Sequence, residues 1–167
     1  MEVKIDVKLS KNDMFSFLMK HTYSSFGGYI GVALSLCALM GFFYTLKMPQ
    51  VTMTYRAVLV FTALLFTVIQ PAMLYYKACK QIKRNTSFAK PITYRFNSSL
   101  IEISQDEDKI SFEWADVTKV TSNKKIVIIY IGRMRAFVLP LSDIGAEYEN
   151  LKTLIKKCSA ATSIHLK

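Results

Sequence analysis

Residues 26–46 read FGGYIGVALSLCALMGFFYTL, and residues 57–76 read AVLVFTALLFTVIQPAMLYY. Between Lys20 and Lys47 lie 26 residues without a formal charge, taking His21 as neutral, and between Arg56 and Lys77 another 20. At ~1.5 Å rise per residue, a 20-residue helix covers ~30 Å, the thickness of a bilayer's hydrocarbon core. Both stretches meet that length, and both are dense in Leu, Val, Phe, Ala and Met. A cleaved signal peptide would start earlier, carry a shorter apolar region and be followed by a small-x-small site, and the first stretch does none of these. Two buried helices of a soluble core would need more covering protein than the rest of the chain supplies. The sequence therefore predicts transmembrane helices over about 24–46 and 57–76, within a hairpin spanning residues 23–76.

Working outward from the hairpin, charge gives it an orientation. The 167 residues include 22 Lys+Arg against 12 Asp+Glu, with 51% hydrophobic residues and a mean hydropathy of +0.24. Residues 1–90 hold 11 basic and 3 acidic side chains (+8), residues 91–167 hold 11 and 9 (+2). Positive charge concentrated beside the apolar stretches points to membrane lipids, and no nucleic-acid partner is expected. Lys4, Lys8, Lys11 and Lys20 precede the first span, and Lys77, Lys80, Lys83, Arg84 and Lys90 follow the second. The connecting loop 47–56 carries only Lys47 and Arg56, with Pro49 suiting a tight turn. The positive-inside rule places both termini in the cytoplasm. Cys37, Cys79 and Cys158 are odd in number and widely spaced, forming no disulfide or zinc pattern.

Within the first span, Gly27, Gly31 and Ser35 recur every four residues, a row that lets a second helix approach closely. The protein's own second span is the favoured partner, with self-association as the other reading. Gln70-Pro71 interrupts the second span; Pro71 removes one helical hydrogen bond and is expected to kink the helix, with Gln70 available to the freed carbonyls. In the basic juxtamembrane segment, residues 77–90, Lys77, Lys80, Lys83 and Arg84 share a helical face that suits lipid headgroups. Topology determination alone is the plainer account of them.

The flanking segments read as soluble structure. Residues 1–22 contain an alternating strand, Glu2–Leu9, and a helix start with Ser10 as cap and Asp13 in its first turn. This strand is on the same side as the C-terminal region and is a candidate edge strand for it. From 91 to 167 the period is two: Ile92/Tyr94/Phe96, Ile101/Ile103, Ile110/Phe112/Trp114 extended through Val117 and Val120, then Ile126–Ile131 and Ala136–Leu139. A final amphipathic helix follows, capped by Ser142 or Asp143, with Ile144, Tyr148, Leu151, Ile155 and Cys158 as its buried stripe. About five antiparallel strands and one closing helix are the layout of a pleckstrin-homology-like domain. The predicted fold class is thus an α+β membrane protein, a two-helix transmembrane hairpin carrying a cytoplasmic antiparallel β domain closed by a C-terminal helix.

The early Asp13 and Phe17, the Tyr94-Arg95-Phe96 strand, Trp114 with Val117 and Val120, and Leu139-Pro140 before the last helix resemble the YcxB-like proteins of bacteria. The resemblance runs along nearly the whole chain. It implies a multi-pass bacterial cell-membrane protein with a pleckstrin-homology-like domain, and it supplies no catalytic residue or substrate.

Searching for chemistry yields little. His21 and His165 are the only histidines, and no HExxH, GxSxG, phosphate loop or zinc spacing occurs. No catalytic residue, cofactor, metal or small-molecule substrate is expected. Asp106-Glu107-Asp108 lacks the spaced ligands of a calcium loop and reads as a solvated hairpin tip. Lys124, Lys125, Arg133 and Arg135, near the turns flanking the central strand, are candidate contacts for acidic headgroups, against the plainer reading as solvated turn charges. The expected function is that of a non-enzymatic, membrane-anchored protein whose cytoplasmic domain binds a partner protein or the inner leaflet, homo-oligomerisation being a further option. The alternative is an immunity-type or transporter-accessory factor that protects the membrane against antimicrobial peptides.

Overall fold

A computed structural model describes residues 2–85, 90–132, 135–159 and 163–166. The chain divides into two compact units, Met1–Phe17 with Cys79–Lys167, and Leu18–Ala78. The molecule is α+β, with antiparallel sheets in the first unit and two long apolar helices that fall largely in the second.

In the sheet unit, β1 (Val3–Val7) pairs antiparallel with β2 (Ile92–Phe96), Val3 lying opposite Phe96 and Val7 opposite Ile92. The N-terminal strand therefore belongs to the C-terminal sheet. Its alternation is realised residue by residue: Val3, Ile5 and Val7 are buried, Lys4 and Asp6 exposed. β3 (Leu100–Gln105) and β4 (Asp108–Glu113) complete a sheet ordered β1-β2-β3-β4. A second sheet contains β5 (Val117–Ser122), β6 (Ile126–Ile131), β7 (Arg135–Pro140) and β8 (Ser163–His165), in the order β7-β6-β5-β8. β6 is central, and Ile126, Val127, Ile128 and Ile129 are buried on both faces, as their unbroken apolar run predicts.

Two strand expectations need correction. The run from Ile110 to Val120 is not one strand: it breaks at a single 3₁₀ turn, Trp114–Asp116, where the chain passes from one sheet to the other. A reciprocal cap closes that turn, Glu113 N–H donating to the Asp116 carboxylate at 3.2 Å while the Glu113 side chain accepts in return. Trp114 is buried from this turn rather than from a strand, and its Nε1 donates to the Asn97 carbonyl at 2.8 Å. The short β8 adds a parallel pair to β5, so pairing is not wholly antiparallel.

The closing helix is also divided. α5 (Leu141–Ile144) and α6 (Tyr148–Cys158) are separated by a 3₁₀ turn at Gly145–Glu147, where Gly145 takes φ +52°, a conformation glycine adopts without penalty. Neither Ser142 nor Asp143 caps the helix; Pro140 occupies the cap position, and the Asp143 carboxylate accepts the Lys8 N–H at 3.1 Å. Ile144, Leu151, Leu154 and Ile155 are buried, Leu154 joining the stripe read from sequence, while Tyr148 and Cys158 are half-buried. At the other end of the unit, α1 (Lys11–Tyr23) begins with the predicted cap: Asp13 N–H donates to Ser10 Oγ, and Ser10 N–H to the Asp13 carboxylate.

The hairpin unit is built from α2 (Phe26–Thr45), capped by Ser25 Oγ, and α3 (Met53–Leu64), which runs through a π-helical turn (Leu65–Ile69) into α4 (Gln70–Arg84). Gly31, Ser35 and Ala38 are buried on α2. A Cβ on Gly31 would lie 2.4 Å from the Phe66 ring, and Ser35 Oγ donates to the Thr62 carbonyl at 3.3 Å. The row of small side chains thus receives the protein's own second apolar helix. Gly27 is not part of it: no described atom lies within 4 Å of where its Cβ would stand. Gly28 is buried instead, against the Thr22 carbonyl. Arg56 closes the loop by donating from Nη2 to the carbonyls of Thr45 (3.0 Å) and Met48 (2.9 Å), satisfying the exposed C-terminal end of α2.

The π turn is the physical answer to Pro71. Within it the Gln70 N–H bonds the Leu65 carbonyl, five residues back. The Phe66 carbonyl would then be taken by residue 71, which as proline has no N–H. The Tyr23 hydroxyl donates to that carbonyl instead, at 2.5 Å. The Gln70 Oε1 is buried without a hydrogen-bond partner among the described residues.

Candidate functional site

The side chains singled out in the sequence fall in three places. Lys77, Lys80, Lys83 and Arg84 are all exposed on α4 and lie within a ~120° arc at ~100° per residue. Lys124 and Lys125 occupy the β5–β6 turn, where the Asn123 carboxamide oxygen accepts the N–H groups of Lys125 and Ile126 at 2.8 and 2.9 Å. Arg135 opens β7 opposite Ile131, at the other end of β6 from Lys125, so these basic residues do not form one patch. Arg133 lies outside the described residues. The acidic tip is a tight turn with Asp106 at φ +52°, and the Asp106 carboxylate pairs with exposed Lys90 at 2.5 Å. Among the described residues no group of three His, Cys, Asp or Glu side chains is placed to hold a metal ion.

One concavity was not read from the sequence. It is a groove of about 460 Å³ within the sheet unit, within the usual size range of small-ligand sites. β2, β3 and β4 contribute Ile92, Tyr94, Ile103, Ile110 and Phe112; β7 contributes Arg135, Ala136, Phe137 and Val138. Leu9, Met14, Phe17 and Gln81 complete the wall. Alternation correctly assigns Ile92, Tyr94, Ile103, Ile110 and Phe112 to one face, but packing covers only part of that face. Phe96 and Ile101 are sealed beneath it, whereas Ile110 is 54% exposed and Ile92, Ile103 and Phe112 are only partly buried. Sequence period reports which side a residue is on; it does not report where the covering layer stops.

Aromatic rings floor the groove. The Phe137 ring lies 5.4 Å from Phe112 and 5.7 Å from Tyr94, both tilted by almost 60°, and Tyr94 stacks on Phe96 at 6.2 Å. Burial pushes the Tyr94 phenol up to about 12. The Arg135 guanidinium sits 5.7 Å from the Phe112 ring centroid, a cation–π distance. Among the described lining residues Arg135 is the single formal charge, and no carboxylate joins it. The site therefore offers apolar walls, one cation and the Gln81 amide.

Residues 96–155, from the end of β2 into α6, match the family model described as YcxB-like protein. The chain thus carries a YcxB-like region, shorter than the nearly whole-chain resemblance noted above. No curated protein and no solved structure matches the chain.

Proposed function

We propose that this chain is a two-span membrane protein whose YcxB-like unit is a binding module rather than an enzyme, and that its groove takes the acyl part of an anionic membrane lipid. Several features support the spans. Phe26–Thr45 and Met53–Arg84 are long and apolar enough to cross a bilayer, and only 22% and 6% of their most apolar stretches are buried. Phe26, Tyr29, Met40, Phe43, Met53 and Met73 instead present large apolar surfaces outward, a pattern that suits acyl chains as solvent. Both termini lie on the cytoplasmic side by the distribution of Lys and Arg. Lys77, Lys80, Lys83 and Arg84 then meet the headgroups of the inner leaflet, each at about 1 kcal/mol.

The groove carries the lipid reading. An aromatic-floored, apolar cavity with one cation and no carboxylate is matched to a single negative charge on an apolar body. The test uses the full chain in a neutral detergent, with phosphatidylglycerol and phosphatidylcholine of identical acyl chains supplied at equal concentration and bound lipid counted by native mass spectrometry. Phosphatidylglycerol is expected to predominate, Arg135→Gln to reduce that preference several-fold, and Ile110→Trp, which fills the groove, to reduce both lipids. If the preference survives Arg135→Gln but is lost when Lys77, Lys80, Lys83 and Arg84 are changed to Gln, the groove reading is wrong and the helix face is the lipid site.

A further inference from the structure

The edge of β4 has an unused pairing capacity with a defined register. β4 is the terminal strand of its sheet, six residues long and exposed over nearly its whole length. The other terminal strands differ: three of the five residues of β1 and three of the six of β7 are buried, and β8 has three residues. The two-residue turn Asp106-Glu107 makes Gln105–Asp108 the closing hydrogen-bonded pair of the β3–β4 hairpin. Alternate residues therefore direct their backbone groups toward β3 at Ile110 and Phe112, and away from it at Lys109 and Ser111. The Glu113 N–H fits this phase, since it points out of the sheet to the Asp116 carboxylate. Lys109 and Ser111 are left with outward N–H and C=O groups that belong to no ladder among the described strands.

The geometry points to a second copy of this chain as the partner, its β4 adding antiparallel to the first about a twofold axis through Ser111. Only that register agrees with the side chains. It sets Lys109 opposite Glu113 and Ile110 opposite Phe112, each twice, and Ser111 opposite itself. Opposite charges and apolar pairs facing one another across antiparallel strands are stabilising. The neighbouring registers that keep outward backbone groups opposed do less: an axis through Ile110 would set the Asp108 carboxylate against Phe112 and Lys109 against Ser111, and one through Phe112 would carry Lys109 past the end of the partner strand. The pairing joins two four-stranded sheets into one of eight strands and removes an open edge. It rests on the edge alone and is independent of the lipid reading.

The full chain in detergent micelles tests this, with Cys37, Cys79 and Cys158 first replaced by Ala. Ser111→Cys is expected to form a disulfide-linked dimer on mild oxidation, because directly opposed residues lie ~5.5 Å apart. Lys109→Cys is expected not to, since its self-distance in this register is ~13 Å. Charge reversal then checks the register. Lys109→Glu and Glu113→Lys, each in the Ser111→Cys background, are each expected to cross-link about tenfold less by themselves. Mixed together, the two variants restore both ion pairs and are expected to cross-link with each other as the parent does, which also shows that both are folded. Equal cross-linking through Lys109→Cys and Ser111→Cys, or a mixture no better than its separate components, overturns the proposal.

Discussion

The sheet unit and the hairpin unit use apolar residues in opposite ways. In the first, Phe96, Ile101, Ile128, Ile129, Leu139 and Ile155 are sealed from solvent. In the second, most large apolar side chains of α2 and α3 face outward and the positions buried between the helices are mostly small, among them Gly28, Gly31, Ser35, Ala38 and Ala63. One unit is held by removing apolar area from water, the other by the close approach of two helix backbones. The same substitution should therefore have opposite consequences in the two.

The largest expected effect comes from Phe96→Ala set beside Phe61→Ala. Phe96 is fully buried, stacked on Tyr94 and packed at a tilt against Trp114, so its loss should cost about 3–5 kcal/mol. Phe61 is 58% exposed on α3, and its loss should cost under about 1 kcal/mol. Trp114 is the only tryptophan, so its fluorescence during denaturant unfolding reports on the sheet unit, and loss of far-UV circular dichroism in micelles reports on the hairpin helices. Equal costs at the two positions would break the contrast.

pH should also separate the units. The Tyr94 phenol is held near 12 in the folded state by burial, against 10.0 when free. Below pH 10 both states keep the proton and the unit has its full stability. Between pH 10 and 12 the unfolded state ionises while the folded state does not, so stability falls, by about 3 kcal/mol across that window. Urea midpoints followed by Trp114 fluorescence should drop across that window, and Tyr94→Phe should remove most of the drop. Tyr130, also raised by burial, leaves a smaller slope. A slope unchanged by Tyr94→Phe would show that the decline has another origin.

What the sequence made legible follows from the range over which each signal acts. The apolar helices, the Ser10–Asp13 cap, the buried run Ile126–Ile129 and the faces of β1 to β3 depend on neighbours a few residues away, and all are present. The turn at Trp114–Asp116 was hidden because alternation continues in composition through Ile110, Phe112 and Trp114 while the backbone changes sheet. The groove was hidden for a related reason, since whether Ile103 and Ile110 are covered depends on β7 and α1, not on their own strands. Gly27 and Gly28 were indistinguishable by residue type; which one is packed depends on where Thr22 leaves α1.

Gly27 set beside Gly31 gives a smaller test. Gly31→Leu drives a side chain into the Phe66 ring and should destabilise the hairpin by about 1–3 kcal/mol. Gly27→Leu meets open space and should be neutral or slightly stabilising through helix propensity. Thermal unfolding in micelles followed by far-UV circular dichroism distinguishes them. If both variants behave alike, packing through Gly31 does not hold the hairpin.

The smallest expected effect probes the link between proline and tyrosine. If Pro71 is what leaves the Phe66 carbonyl without an intrahelical donor, the Tyr23 hydroxyl matters only while the proline is there. Tyr23→Phe should then cost about 1 kcal/mol in the parent chain, the net worth of one hydrogen bond. Pro71→Ala restores an N–H at that position and lets the π turn relax toward an ordinary helix, which supplies the carbonyl from within. In that background Tyr23→Phe should cost almost nothing. The double-mutant cycle isolates the coupling, because each single change removes one half of the arrangement. Equal costs of Tyr23→Phe with and without the proline would show that the hydroxyl acts through packing, and that the π turn is satisfied without it.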